Sequence, residues 1–316
     1  LFRSRDWKRL LIYRQKMRIY KQRMERCLKL MRPDITISML RREINFLPDL
    51  QDSSIKLGEI HFGRYKYREA NITFMPSFVN QIISRLWMLQ LTSKLKRLKR
   101  FVVLTHEDAQ AWKELNNITV IPNPITIETN KKSDCSPHKV VAVGRYTYQK
   151  GFDLLIKAWE IVHKKHPDWI LNIYGGGDNT AYQQLADRAG LHDAVNCNPL
   201  ADDISTKYVE SSIFALSSRF EGFGLVIAEA MLCGIPPVSF ACPCGPRDII
   251  HNGEDGILCE NGNISELADG ICSLIEDENK RKEMGSIAAE NIQRFRLDNI
   301  MQQWDHLFKD IISQNR

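Results

Sequence analysis

Residues 213–240 read IFALSSRFEGFGLVIAEAMLCGIPPVSF. The run 213–216 is wholly apolar and stops at a serine pair, as a strand buried on both faces does. Residues 217–224 carry Gly222 and Gly224 and form a flexible turn. Residues 226–233 are apolar apart from Glu229, which reads as a buried helix. Gly234 and Pro236 stop that helix, and 237–240 is a second apolar strand. Strand, turn, helix and strand in this order make a βαβ unit with parallel strands.

The same alternation extends on both sides. Strands are predicted at 140–144, 170–174 and 194–198, and helices at 152–163, 181–189 and 204–211. Further helices follow, the last over 299–314. This is a doubly wound α/β domain. Nearer the N-terminus, Leu10, Leu11, Tyr13, Met17, Tyr20, Met24, Leu28 and Met31 recur at steps of three and four, predicting a basic helix over 5–31. Strands follow at 35–39, 55–62, 101–105 and 119–124, with a second basic helix over 77–99 and another from Glu107. Residues 126–138, TIETNKKSDCSPH, are polar and rich in turn formers, as an interdomain linker should be. The expected division is 1–130, 131–298, and a last helix over 299–316 that crosses back to the first domain.

Hydrophobic residues make up 43% and charged residues 26%, so a globular core is expected rather than disorder. The net charge of +6 is unevenly spread. Residues 1–130 hold 25 Lys and Arg against 12 Asp and Glu, while the remainder hold 19 against 26. A basic first half suits an anionic membrane, a phosphate-bearing lipid, or simply a solvated face. It carries no recognised nucleic-acid-binding signature. The eight cysteines are scattered, and the close pair Cys242 and Cys244 has no second pair or histidine at metal spacing. They read as free thiols of a reducing cytosol, with no metal site. No signal peptide is visible. The apolar stretch 78–91 is broken by Asn80, Gln81 and Arg85 and is too short to span a bilayer. Any membrane contact is expected to be peripheral, on the inner face of the plasma membrane.

In α/β sheets of this kind ligands sit beyond the carboxyl ends of the strands. Three such places stand out. The loop 144–151, GRYTYQKG, brackets a turn with Arg145 and Lys150, and Gly144 allows close backbone approach. The helix start beyond adds its positive end, so the loop suits a diphosphate, although a surface Arg and Lys would read alike. Residues 174–178, YGGGD, form either a second approach to a ligand or a plain tight turn. Glu221 precedes the apolar helix and Glu229 lies inside it. A carboxylate in such a run needs a partner, which ribose hydroxyls could supply. The N–H groups of Gly224, Leu225 and Val226 open the same helix. The alternative is a pair of surface glutamates, one of them a cap.

Glu221 and Glu229 are separated by seven residues, and SRFEGFGLVIAEAMLCGIPPVSF resembles the E-x7-E signature of the retaining glycosyltransferases of family 4. VAVGRYTYQKGFDLLIKAW, LNIYGGGD, GPRDIIHNGEDGILC and VIPNPI resemble that family's other landmarks, in its order. The resemblance implies the GT-B fold, two Rossmann-like domains facing a cleft. It assigns Arg145 and Lys150 to the donor diphosphate, Glu229 to the ribose and Glu221 to the transferred sugar. His61 falls at the family's first-domain cleft histidine; without the resemblance it would be an ordinary strand-end histidine. His106 falls at an ordinary helix start. The implied reaction moves a hexose or N-acetylhexosamine from a UDP-sugar to a glycan or lipid-linked glycan, with retention, for surface polysaccharide synthesis. Two cations would replace a divalent metal, and no cofactor is implied. The family normally opens with a strand and a Gly-rich loop that are not seen before 5–31, so the first domain is expected to be incomplete. The cysteines of CPCGPRD depart from the family pattern. Rivals are an epimerase of the same fold, a phosphorylase, for which no pyridoxal-lysine motif is seen, and a fragment that binds donor without turnover.

Overall fold

The computed structural model describes residues 4–66 and 76–315. Two compact units emerge. The first takes the chain to Val103, Ala109–Ile121 and the residues from Gln303 on; the second takes Leu104–Asp108 and Pro122–Gln302. The division thus falls at 121/122. Residues 126–138 are held to the second unit: Ser133 Oγ donates to the Ser211 carbonyl at 2.6 Å, and the Ser133 N–H to that of Cys233 at 2.8 Å.

In the first unit, α1 (Ser4–Met31) leads to β1 (Ile35–Ser38) and β2 (Ile55–Glu59). Then come α2 (Ser77–Leu95), β3 (Arg100–Val103), α3 (His106–Ala111), whose residues to Asp108 belong to the second unit, and β4 (Ile118–Val120). The strands form one parallel sheet in sequential order. Leu47, Leu91, Leu95, Phe101 and Trp112 are its buried core. Of the expected α1 stripe, Leu28 is buried, and Met17 and Met24 pack beside it. Leu11 and Met31 are exposed, and the side chain of Leu10 lies outside the described residues. Helical rotation explains Leu11, which lies about 120° round from the face shared by 17, 24 and 28; Met31 is on that face but is the last residue of the helix.

The second unit opens with β5 (Lys139–Val143), α4 (Phe152–Lys165), β6 (Ile170–Tyr174), α5 (Thr180–Arg188) and β7 (Val195–Asn198). It continues through α6 (Ile204–Val209), β8 (Ile213–Leu216), α7 (Leu225–Leu232), β9 (Pro237–Phe240), α8 (Pro246–Ile249) and β10 (Ile257–Cys259). The helices α9 (Ile264–Glu276), α10 (Glu278–Asn291) and α11 (Leu297–Ser313) finish the chain. The sheet is parallel, in the order β10-β9-β8-β5-β6-β7. The chain therefore builds outward from β5 through β6 to β7, then returns to lay β8 on the other side of β5. The reversal leaves a crevice between the exits of β5 and β8, because their following segments depart in opposite directions. A core of Val140, Leu155, Trp159, Leu171, Ile213 and Phe240 fixes this sheet against its helices.

Candidate active site

The segments after β5 and β8 hold eight of the nine residues singled out in the sequence. Gly144 follows β5, with its N–H bonded to the Tyr174 carbonyl at 3.0 Å. A Cβ there would meet Lys150 Cε at 2.8 Å, so the missing side chain lets the lysine stem fold over the loop. Gly151 follows at φ +62°, where a Cβ would stand 2.1 Å from the Ser217 carbonyl oxygen. The two exit loops touch through their backbones at this point.

That closeness brings the charges together. Lys150 Nζ donates to Glu221 Oε1 at 2.7 Å, and Ser218 Oγ donates to the same oxygen at 2.6 Å. Glu221 is buried, at 8% exposure, with its N–H bonded to the Pro243 carbonyl. A buried carboxylate is tolerated here because a cation and a hydroxyl satisfy it. Arg145 is exposed, and its side chain has no partner among the described residues. One cation of the loop is therefore held and the other is available.

Gly224 caps α7 at φ +94°, and Leu225 and Val226 begin the helix. Their N–H groups have no earlier helical carbonyl to bond, which leaves donors at the mouth of the crevice. Glu229, one turn further, is not left without a protein partner: Tyr208 Oη donates to its Oε2 at 3.1 Å. Burial raises the Glu229 pKa above its usual range, and the Tyr208 bond offsets only part of this. The partner expected for a carboxylate inside this helix is thus supplied within the protein by Tyr208, fully buried on α6.

His61 belongs to the first unit, two residues beyond β2. Its Nε2 lies 3.0 Å from Glu59 Oε1, but outside hydrogen-bonding geometry; the atom is buried and has no hydrogen-bond partner among the described residues. His106 opens α3, and its N–H bonds to the Asp248 carboxylate at 2.6 Å. Asp203 caps α6, accepting from the Ser205 N–H. Cys242 and Cys244 are buried, and Cys244 sits at φ +64° with its thiol 3.8 Å from Asp108 Oδ1. The nearest approach to a metal-ligand set among the described residues is His166, Cys272 and Glu276. It lies at the far end of α4 from Lys150, and His166 already contacts Glu276 at 3.0 Å.

Sequence reasoning missed Ser218, Tyr208, Asp153 and Arg219. Arg219 follows Ser218 in the quoted stretch, and its only signal was being a cation beside Glu221. In the structure its guanidinium forms a fork with Asp153, at 2.9 and 2.7 Å, and lies over the Tyr148 ring at 4.0 Å.

Comparison with known proteins agrees with this architecture. The profile of "Glycosyl transferases group 1" matches residues 126–291. An uncharacterized glycosyltransferase of Haemophilus influenzae is 35% identical over 210 residues, covering 65% of this chain and 60% of that protein. The poly(ribitol-phosphate) alpha-N-acetylglucosaminyltransferase of Staphylococcus aureus is 30% identical over 197 residues, covering 62% of this chain and 40% of that protein. A crystal structure of a Staphylococcus aureus TarM variant, in complex with UDP, fondaparinux and alpha-GlcNAc-glycerol, matches with a TM-score of 0.67 and 25% identity. That match covers 81% of this chain and 51% of TarM. The chain thus spans about three-fifths or less of the length of these relatives. Its two parallel sheets are those of the GT-B glycosyltransferases, and the chain belongs to the glycosyl transferases of group 1.

Proposed function

We propose that this chain binds a UDP-sugar at the β5/β8 crevice and serves a retaining transfer of a hexose or N-acetylhexosamine to a glycan or lipid-linked glycan. The observation that carries the reading is the pairing of a held cation with an available one. Lys150 lies 2.7 Å from Glu221, and Arg145 is exposed on the same loop. A diphosphate entering the crevice would bring two negative groups to this loop and draw Lys150 from Glu221. Glu221, released from its cation, would accept from hydroxyls of the donor sugar, while the N–H groups of Leu225 and Val226 would face the phosphate or sugar. Glu229 would accept from the ribose beside Tyr208. The two cations would stabilise the charge that develops as the bond from the anomeric carbon to the diphosphate breaks. The acceptor oxygen would then bond to the anomeric carbon on the same face, its proton passing to an oxygen of the departing diphosphate. No divalent metal or cofactor is required in this scheme.

Two relatives lend the donor and the acceptor class their support. TarM was crystallised with UDP, and the Staphylococcus aureus enzyme is named for a phosphate-bearing polymer. Calorimetric titration with UDP, GDP and ADP in EDTA tests the donor site. Selective UDP binding that is weakened in Arg145→Ala and Glu229→Ala supports it; binding of no nucleotide refutes it. NMR of the product anomer then tests retention. UDP-sugar binding without transfer would favour a donor-binding fragment, and interconversion of free UDP-sugars an epimerase.

The first unit offers an acceptor-side observation of its own. A groove of about 880 Å³ between α1 and α2 is lined by Arg14, Arg18 and Lys21 together with Tyr13, Met17 and Trp87, and by no carboxylate among the described residues. Phe78, Ile82, Leu86 and Leu89 are exposed along one side of α2. Among the described residues no helix is long and apolar enough to cross a membrane. A cationic groove beside an apolar stripe fits peripheral contact with an anionic lipid surface. Sedimentation with phosphatidylglycerol vesicles, but not phosphatidylcholine vesicles, is the expected result; equal binding to both would remove this part of the reading.

A further inference from the structure

The geometry points to Arg219 as a positioning residue: its fork with Asp153 locks the Lys150 loop to the Glu221 loop, so that both present their charges to one diphosphate. The inference rests on the proposed donor site, but its structural basis is separate. Lys150 and Glu221 stand on two loops that leave neighbouring strands, β5 and β8. Each loop is short and carries glycine, and the first has only the single 3-10 turn over Tyr148–Lys150, so contacts between the loops bear on their spacing. Something must fix their spacing, because a displacement of about 1 Å would break the 2.7 Å contact between Lys150 and Glu221.

Arg219 is placed to do this. Its Nη1 donates to the Tyr148 carbonyl at 2.8 Å and to Asp153 Oδ1 at 2.9 Å, and its Nη2 to Asp153 Oδ2 at 2.7 Å. One planar group thus grips the loop two residues before Lys150 and the helix α4 three residues after it. The face of the guanidinium covers Tyr148, an otherwise exposed ring. Secondary bonds run parallel to the clamp. The Arg219 N–H bonds to the Gln149 carbonyl at 2.8 Å, Gln149 Nε2 to that of Phe220 at 3.0 Å, and Ser217 Oγ to that of Lys150 at 3.0 Å. The Arg219 side chain is 20% exposed, so its ion pair is partly screened from water. The Arg219 hydrogen bonds hold the Asp153 carboxyl below its usual pKa, as a persistent pair would. A lysine could not replace the fork, since it lacks the planar pair of donors and the stacking face.

Arg219 has two partners of its own and touches neither Lys150 nor Glu221 through its side chain. Its effect on a donor therefore runs through the loops it joins. A ligand with phosphates should feel its loss, and a nucleoside without them should not.

The test compares the full chain with Arg219→Met, Arg219→Lys and Asp153→Asn, using UDP by calorimetry and uridine by NMR titration. Arg219→Met should weaken UDP about tenfold, equivalent to about 1.4 kcal/mol, and leave uridine within about twofold. Arg219→Lys should fall between it and the unaltered chain. Unchanged UDP affinity in Arg219→Met, or equal losses for UDP and uridine, would overturn the inference. The second arm needs no nucleotide: the Lys150 ¹⁵Nζ resonance of the ligand-free chain should move toward that of a solvated lysine in Arg219→Met. An unmoved resonance overturns the clamp. If the unaltered chain binds neither UDP nor uridine, the donor reading fails and this resonance alone decides the role of Arg219.

Discussion

Lys150 and Glu221 share a 2.7 Å hydrogen bond across 71 positions of sequence, inside the crevice that both were expected to line separately. The pair is held on each side, since Lys150 is 14% and Glu221 7% exposed in their side chains. A site that stores its cation on a carboxylate keeps the crevice neutral at that point until a stronger anion arrives. Removing one partner strands the other in a place that water reaches poorly.

Lys150→Met should therefore destabilise the chain by about 2–4 kcal/mol in urea unfolding, because Glu221 keeps only the Ser218 hydroxyl. Adding Glu221→Gln to it should recover part of that loss. A single variant as stable as the unaltered chain would show that the ion pair contributes nothing.

Arg145→Ala should behave in the opposite way. Its side chain is exposed and without a partner among the described residues, so unfolding should stay within about 0.5 kcal/mol. UDP affinity should nevertheless fall about tenfold. Full affinity in this variant would remove Arg145 from the donor site.

Glu229 makes a prediction about pH. Burial raises its carboxyl pKa in the folded chain above the ordinary 4.5, so folding favours the protonated form. That contribution is complete below 4.5 and is lost as pH rises through the folded value. Glu229→Gln should thus gain stability over the unaltered chain as pH climbs toward 7, and match it near pH 4. Denaturation curves at pH 4, 5.5 and 7 measure this; a constant difference would contradict it.

Gly151→Ala should cost about 2–4 kcal/mol. The residue sits at φ +62°, and an added Cβ would lie 2.1 Å from the Ser217 carbonyl oxygen. Gly253→Ala is the control: φ is +83° but the space is open, so about 1 kcal/mol is expected. Equal melting shifts for the two would mean that the loops do not meet at Gly151.

Thiol labelling at pH 8 should be selective. Cys27 is exposed, whereas burial raises Cys135 and Cys197 to about 11 and Cys233, Cys244 and Cys259 to about 12. One fast thiol is expected in the native chain and eight after unfolding. Rapid native labelling of Cys242 or Cys244 would show that the α8 approach opens in solution.

Much of the fold was legible along the chain. The run 213–216 is observed as β8 and the apolar stretch after Gly224 as α7, because a buried strand and a buried helix each leave a local pattern. Glycines at strand ends marked the turns for the same reason. Legibility was poorer for α1, where the step of three and four recruited Leu11, which is rotated off the Leu28 face, and Met31, which is on it but at the last residue of the helix; both are exposed. Periodicity fixes which residues are apolar, but the width of the buried stripe depends on what packs against it. The linker suggested by 126–138 had the composition of a loop, yet Ser133 and Cys135 tie it to the second unit.

The sequence by itself determined the order of strands and helices, the Gly-bordered loops, and the residue types placed after β5 and β8, since these follow from short-range periodicity and backbone freedom. Only the tertiary structure decided the partners: Tyr208 for Glu229 across 21 positions, Asp153 for Arg219 across 66, and Lys150 for Glu221 across 71. The physical reason lies in the sheet order β10-β9-β8-β5-β6-β7. Laying β8 beside β5 closes a long loop at an entropic cost met by the shared core, and no local pattern of residues records which strand becomes the neighbour.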